Sequence, residues 1–331
     1  MRSSPELGRH RMLPILPIVC ALLAAPNQEA EDRWIADLRS EDEIVRRNAA
    51  LALLQRGPEG VPRLLRELRH ERPEVPGQVE RWMKRLEEER WRDRAEAAAA
   101  LVALGSHGAP HLERHRDHEI LEVRWRVRAA LEEIGERAPR EREAERRGDA
   151  VLCEVLGEIG DERCVPDLLR SAETAEGNVR MRAALALVRM REKLTGEQRR
   201  GASEAAFAAL AAETDEPRRV LLVAAVGDLG CAESAAELGA VLGNESAGGL
   251  QMRRAAIFAL GKIGTAEALA LVIRALAAED EYVRDAALVV VRSACGSAHG
   301  FDARRSAREQ AKAVAEIREW WGKKFGRRWE P

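Results

Sequence analysis

The sequence predicts an all-α protein: a right-handed α-solenoid of about eight helical hairpins closed by a C-terminal capping helix. Three observations predict it. A pattern close to Arg-x2-Ala-x2-Ala-Leu-x3-Gly recurs from Arg46, Arg94, Arg124, Asp149, Arg180, Arg219, Arg253 and Arg284. Its apolar positions keep helical spacing. After several copies a second apolar segment follows a glycine, giving helix, turn and helix with a period in the thirties.

Taking each start as position zero, position three holds Ala49, Ala97, Val127, Leu152, Ala183, Leu222, Ala256 and Ala287. Position six is Ala or Val throughout, and position seven is Leu or Val, as in Leu53, Leu187 and Leu260. These offsets share one side of a helix. Small residues there let a neighbouring helix approach closely, and the branched residue fills the remaining space. Position eleven is glycine at Gly57, Gly105, Gly135, Gly160, Gly230 and Gly264, which reads as a helix stop; Arg191 and Cys295 replace it in two copies. Second helices are read at Val61-Pro62-Arg63-Leu64-Leu65, at Cys164 to Leu169 and at Ala268 to Val272. Proline is tolerated in a first turn, where its missing N–H has no helical acceptor to lose. Four copies carry an acid four residues before the arginine: Asp42, Glu176, Asp215 and Asp280. The arginine ladder therefore reads as structural, an intrarepeat pair whose carboxylate also serves the free amides of the helix start.

Only one Tyr and four Phe occur, too few for tetratricopeptide repeats, and the Thr-Pro-Leu-His pattern of ankyrin repeats is absent. The segments Asp42 to Gly57, Val155 to Leu169, Gln251 to Leu276 and Asp280 to Val291 resemble the compact bacterial HEAT repeat of the phycobilisome-lyase type. Its habitual form is an acid, Val-Arg, alanines, Leu-Gly-x-Ile-Gly and then Ala-Val-Pro-x-Leu. The resemblance implies a HEAT-repeat solenoid over residues 31–296. It leaves function open, because such repeats serve enzymes, subunits and scaffolds alike.

Ahead of the repeats, Arg2, Arg9 and Arg11 precede an apolar run from Met12 to Ala25. Residues 1–25 read as a signal peptide, which predicts export to the periplasm or cell envelope. A run this short makes no stable transmembrane span. The alternatives are lipidation at Cys20 and a cytoplasmic protein with a frayed amphipathic start. Cys153 and Cys164 flank one hairpin, either bridged or as free packed thiols.

The spacing stretches between Arg46 and Arg94, where an extra charged helix is predicted near 78–90 with Trp82, Met83 and Leu86 on one side. It shrinks between Arg124 and Asp149, where the Arg/Glu-rich residues 136–148 read as a charged connector and a bend. His111, His115 and His118 can share a helix face and form a weak metal-ligand candidate, with His107 outside the helix beyond Gly108 and Pro110. By the repeat frame His111 and His115 correspond to Arg63 and Glu67, which are expected on the exposed side. Residues 297–331 are read as a cap. Exported bacterial HEAT proteins are similar here, closing with a Gly-aromatic-Asp turn (Gly300-Phe301-Asp302) and a helix ending in Trp320-Trp321. A basic-aromatic tail follows.

With 54 basic and 56 acidic residues interleaved, the chain lacks the basic stripe of a nucleic-acid groove. No nucleophile elbow, phosphate loop or His-Glu-x-x-His is present, and no cofactor is implied. The expectation is a non-catalytic scaffold that binds a protein partner. Candidate contacts are Arg47, Asn48, Arg182, Arg254 and Asp285 on one helix face, with Trp320 and Trp321 at the end. The alternatives are a phycobilin-lyase-like lyase or isomerase, an accessory subunit of an envelope enzyme, and a DNA glycosylase, which the charge balance disfavours.

Overall fold

The computed structural model describes residues 28–243, 249–305 and 308–329, and every regular element among them is helical. The leader expected over residues 1–25 lies outside the described residues. Among those described, no helix is long and apolar enough to cross a membrane.

The chain folds as an all-α solenoid. Helices α1 (Gln28–Asp37), α2 (Glu43–Arg56) and α3 (Val61–Leu68) form the first repeat. Next come α4 (Val75–Leu86), α5 (Trp91–Ala103) and α6 (Gly105–Leu112), then α7 (Leu121–Ile159), a single helix of 39 residues. The remaining hairpins are built from α8 (Val165–Thr174), α9 (Gly177–Arg189), α10 (Gly196–Ala212), α11 (Glu216–Leu229), α12 (Ala235–Gly243), α13 (Gly249–Ile263), α14 (Ala266–Ala275) and α15 (Glu281–Cys295). Helix α16 (Ala311–Phe325) closes the end.

The repeat frame sets the core. All eight position-three residues are buried, and Leu53, Leu187 and Leu260 are at most 2% exposed. Five of the six predicted stop glycines, Gly57, Gly105, Gly160, Gly230 and Gly264, have positive φ. The sixth, Gly135, lies inside α7 and ends nothing. The residues beyond it are good helix formers supported by turn-spaced pairs such as Arg137–Glu133 and Arg147–Glu143. Pro139 falls four residues after Gly135, so the carbonyl deprived of its donor belongs to a residue that faces solvent. The charged stretch 136–148 is thus the middle of a rod.

That rod reorders the stack. Its first half packs with α4, α5 and α6 around Val79, Met83, Leu86, Leu101, Val127 and Ile134. Its second half packs with α2, α3, α8 and α9, so the first repeat meets residues 150–174 rather than its successor in sequence. Arg69 grips Asp167 through Nε and Nη2 at 2.8 and 2.7 Å, although 98 residues separate them. Asp167 is 2% exposed, and Arg170 adds a second cation at 3.1 Å. Residues 75–134 form an arm beside the stack. The expected extra helix is α4, packed as its spacing predicts, with Met83 and Leu86 buried and Trp82 half-buried.

Four of the position-zero arginines share one arrangement, while Arg180 instead reaches the Glu173 carbonyl seven residues back at 3.5 Å. Arg46 Nη1 donates to the carbonyls of Ser40 and Glu41 at 2.7 and 2.8 Å, and Arg94 Nη1 to those of Glu88 and Glu89 at 2.7 Å. Arg124 bonds the carbonyls of His118 and Glu119. Arg284 donates to those of Ala278, Glu279 and Ala303. In each case two carbonyls stand six and five residues earlier, in the turn that follows the preceding helix, where they lack helical donors; Arg284 adds Ala303, nineteen residues on. The acids at Asp42, Asp215 and Asp280 accept helix-start amides as expected, but their arginine four residues on is not their ion-pair partner.

At the C-terminal end, Trp321 is buried and its Nε1 donates to Ala266 O at 2.9 Å. The capping helix starts at Ala311, later than the Gly300-Phe301-Asp302 turn suggests, because the Gln310 side chain holds Asp302 and Arg305 in a folded loop.

Candidate functional site

The buried seam of each first helix leaves its opposite face to solvent, and that face carries apolar residues in register. Position five is Leu51, Leu185, Ala224, Phe258 and Val289 in the stacked copies, with Glu154 interrupting on α7. Leu51, Phe258 and Val289 are 51%, 38% and 48% exposed. Leu221, at position two of α11, is also exposed. Polar residues flank this line.

Two grooves form on it. One, of about 540 Å³, lies between α2, α7 and α9; its walls include Arg47, Leu51, Leu54, Val151, Glu154 and Arg182. It exists because the first repeat stacks on α7. A second, of about 280 Å³, lies between α11 and α13, lined by Val220, Ala224, Arg254, Phe258 and Lys262. The structure therefore brings Arg47 and Arg182 to one groove and Arg254 to another. Asn48 lies beside a separate surface hollow against Trp34, and Asp285 is exposed on α15. Arg182 is tied to Glu154 at 3.0 Å across neighbouring repeats. Trp320 is half-buried with the Lys324 ammonium 5.0 Å from its ring, while Trp321 belongs to the core and is not open to a partner.

The three histidines proposed as metal ligands are not brought together. His115 Nε2 lies 3.2 Å from Glu80 and His118 Nε2 3.3 Å from Glu87, each tying the arm's hairpin to α4 or its end. His107 is inside α6, which begins at Gly105 and continues through Pro110, whose missing N–H leaves the Ser106 carbonyl without its helical donor. It faces α7, with Nε2 3.0 Å from Glu145 Oε1. That contact holds the Glu145 carboxyl below its usual range, and His70 is pushed up by its hydrogen bond to Asp149. Glu67, expected on the exposed side, is buried between Arg39 and Arg72, because the first repeat packs there against the rod.

Cys153 and Cys164 are free and buried, not bridged, and burial pushes each thiol up to about 12. They fill core positions.

Residues 203–292 match the family model described as HEAT repeats. No curated protein matches the chain at a significant level. Human deoxyhypusine hydroxylase aligns at 17% identity over 85% of this chain and 99% of its own, with a TM-score of 0.34. The CpcE–CpcF phycocyanin lyase complex from Nostoc sp. aligns at 16% over 96% and 91%, with a TM-score of 0.32. An engineered protein aligns at 16% over 87% and 82%, also at 0.32. Scores this low add nothing to the fold already described. The family match is confined to residues 203–292, from α10 through most of α15.

Proposed function

We propose that this chain is an exported, non-catalytic HEAT-repeat scaffold that binds a protein partner along the open face of its first helices. The observation that carries this reading is the exposed apolar line at Leu51, Leu221, Phe258 and Val289, edged by Arg47, Arg182, Arg254 and Asp285. Apolar side chains in register along one face, rimmed by charge, have the composition of an interface centre and its border. Each side chain projects from a helix whose other side is locked in the core, so the face is presented with little ordering cost. Export rests on the basic-then-apolar start of the chain.

Site-specific photocrosslinkers at Leu51 and Phe258, with controls at Arg170 and Glu237 on the second helices, test the reading in cells. Crosslinks to one protein species from the first pair alone are the expected result, with the Leu51 crosslink lost on Phe258→Asp and the Phe258 crosslink lost on Leu51→Asp. Equal labelling from all four positions overturns it. Fractionation of the same cells tests export, and retention of residues 1–25 in a cytosolic product counts against it. A copurifying chromophore favours the lyase alternative.

A further inference from the structure

Three segments far apart in sequence meet where the arm leaves the stack. His70 follows α3, His107 lies in α6, and Glu145 and Asp149 stand one turn apart on α7. One ligand atom from each of His70, His107 and Glu145 lies within 4.8 Å of the others. The two imidazole centroids are 6.0 Å apart. His70 Nε2 is 3.0 Å from Asp149 Oδ2, while its Nδ1 is buried without a hydrogen-bond partner. His70 also has φ of 54°, a left-handed conformation that a non-glycine residue holds only when its surroundings enforce it. None of the four side chains is more than 34% exposed.

We propose that His70, His107 and Glu145 bind one divalent transition-metal ion, which fastens the arm to the stack. Two imidazoles and one carboxylate suit zinc and its analogues; magnesium and calcium prefer all-oxygen sets. Asp149 supplies the usual support for such a ligand, a carboxylate on the far nitrogen of the imidazole, which fixes the ring and makes the opposite nitrogen the better donor. That opposite nitrogen, His70 Nδ1, is the orphaned one. Local charge permits a cation. Glu67, Glu141, Glu145 and Asp149 outnumber Arg39, Arg72 and Arg147, and Glu67 engages both Arg39 and Arg72. The site draws on the first repeat, the arm and the rod, so an ion there ties the three together.

The test uses the full chain after chelation, titrated with Co²⁺ by visible absorption and with Zn²⁺ by calorimetry. One ion per chain, with d–d bands of nitrogen and oxygen coordination, is expected. Glu145→Gln and His107→Asn should each weaken Zn²⁺ binding by about tenfold or more, and Asp149→Asn by roughly 10–100-fold, as loss of a supporting carboxylate does. Far-UV circular dichroism checks that each variant keeps its helices; if His107→Asn does not fold, Glu145→Gln decides. Hydrogen exchange supplies a second readout, with Zn²⁺ slowing exchange in α6 of the parent chain but not of Glu145→Gln. No stoichiometric uptake overturns the proposal, leaving ordinary histidine–carboxylate pairs. So does uptake unchanged in Glu145→Gln, or uptake lost instead in a His115→Asn/His118→Asn chain.

Discussion

At the scale of single residues, the recurring arginine is a helix-end device. At Arg46 and Arg284 the guanidinium closes carbonyls of the turn before its helix, and the acid four residues earlier closes amides at the start of that helix. The sequence made both residue types visible but suggested that they bind one another, since spacing of four on a helix is the familiar ion-pair distance. The acid sits just outside the helix, where its side chain turns to the amides. Arg284 shows the device most fully, with three carbonyls bonded and 7% exposure. Arg284→Met keeps the apolar stem and strands those carbonyls; it should destabilise the C-terminal repeats by roughly 3 kcal/mol, given the worth of hydrogen bonds to charged groups. Urea titration followed by Trp fluorescence, which reports Trp320, Trp321 and Trp329 nearby, measures it. A loss under about 0.5 kcal/mol, the range of ordinary surface changes, contradicts the assignment.

Between elements, contact is closest at glycines of position eight. A methyl on Gly157 would stand 2.6 Å from Ala186 Cβ, one on Gly227 2.5 Å from Ala259 Cα, and one on Gly261 2.6 Å from Val290 Cγ1. Each pairs position eight of one copy with position six of the next, so the two small positions together set how near neighbouring helices come. Gly227→Ala should cost more than the helix propensity of alanine returns. A net loss of about 1–3 kcal/mol, the usual penalty of overpacking, is expected in thermal unfolding, while Gly135→Ala on the exposed rod should be neutral or stabilising. The alanines of position six were legible as room for a neighbour. Their glycine counterparts, the first glycine of Leu-Gly-x-Ile-Gly, were visible as a motif but not as contacts, because a pattern read within one helix says nothing of what faces it. The same limit hid the rod: Gly135 obeys the stop rule locally, and only the Arg/Glu pairs beyond it and the packing of both halves of α7 decide against a stop.

For the whole molecule, periodicity recovered the architecture and the core but not the order of stacking. Consecutive hairpins normally neighbour one another, and nothing in Arg69 or Asp167 announces a partner 98 residues away. The junction histidine was missed for that reason: His70 lies in an unremarkable turn, and only the reordered stack sets it beside α6 and α7. Likewise His107, grouped by sequence with His111, His115 and His118, belongs by geometry to the rod. The frame sets Arg47, Arg182 and Arg254 away from the buried seam, whereas Trp321 was misplaced because an aromatic-basic tail reads alike whether it caps or docks. The reordering makes a further prediction. Removing residues 28–69 should raise hydrogen exchange in the second half of α7 and in α8, which lose Leu53, Leu64 and Arg69, and leave α5 protected within its own core. Increased exchange in α5 instead would mean that the repeats stack in chain order.

The detour through the arm also bears on how the protein is made. The first repeat is complete at Leu68, but the apolar surface it docks on begins near Ala150. On the order of 80 further residues must leave the ribosome first, a wait of roughly 4–16 s at ordinary elongation rates. For that interval a nascent hairpin stands with its greasy side uncovered, the kind of surface a chaperone covers.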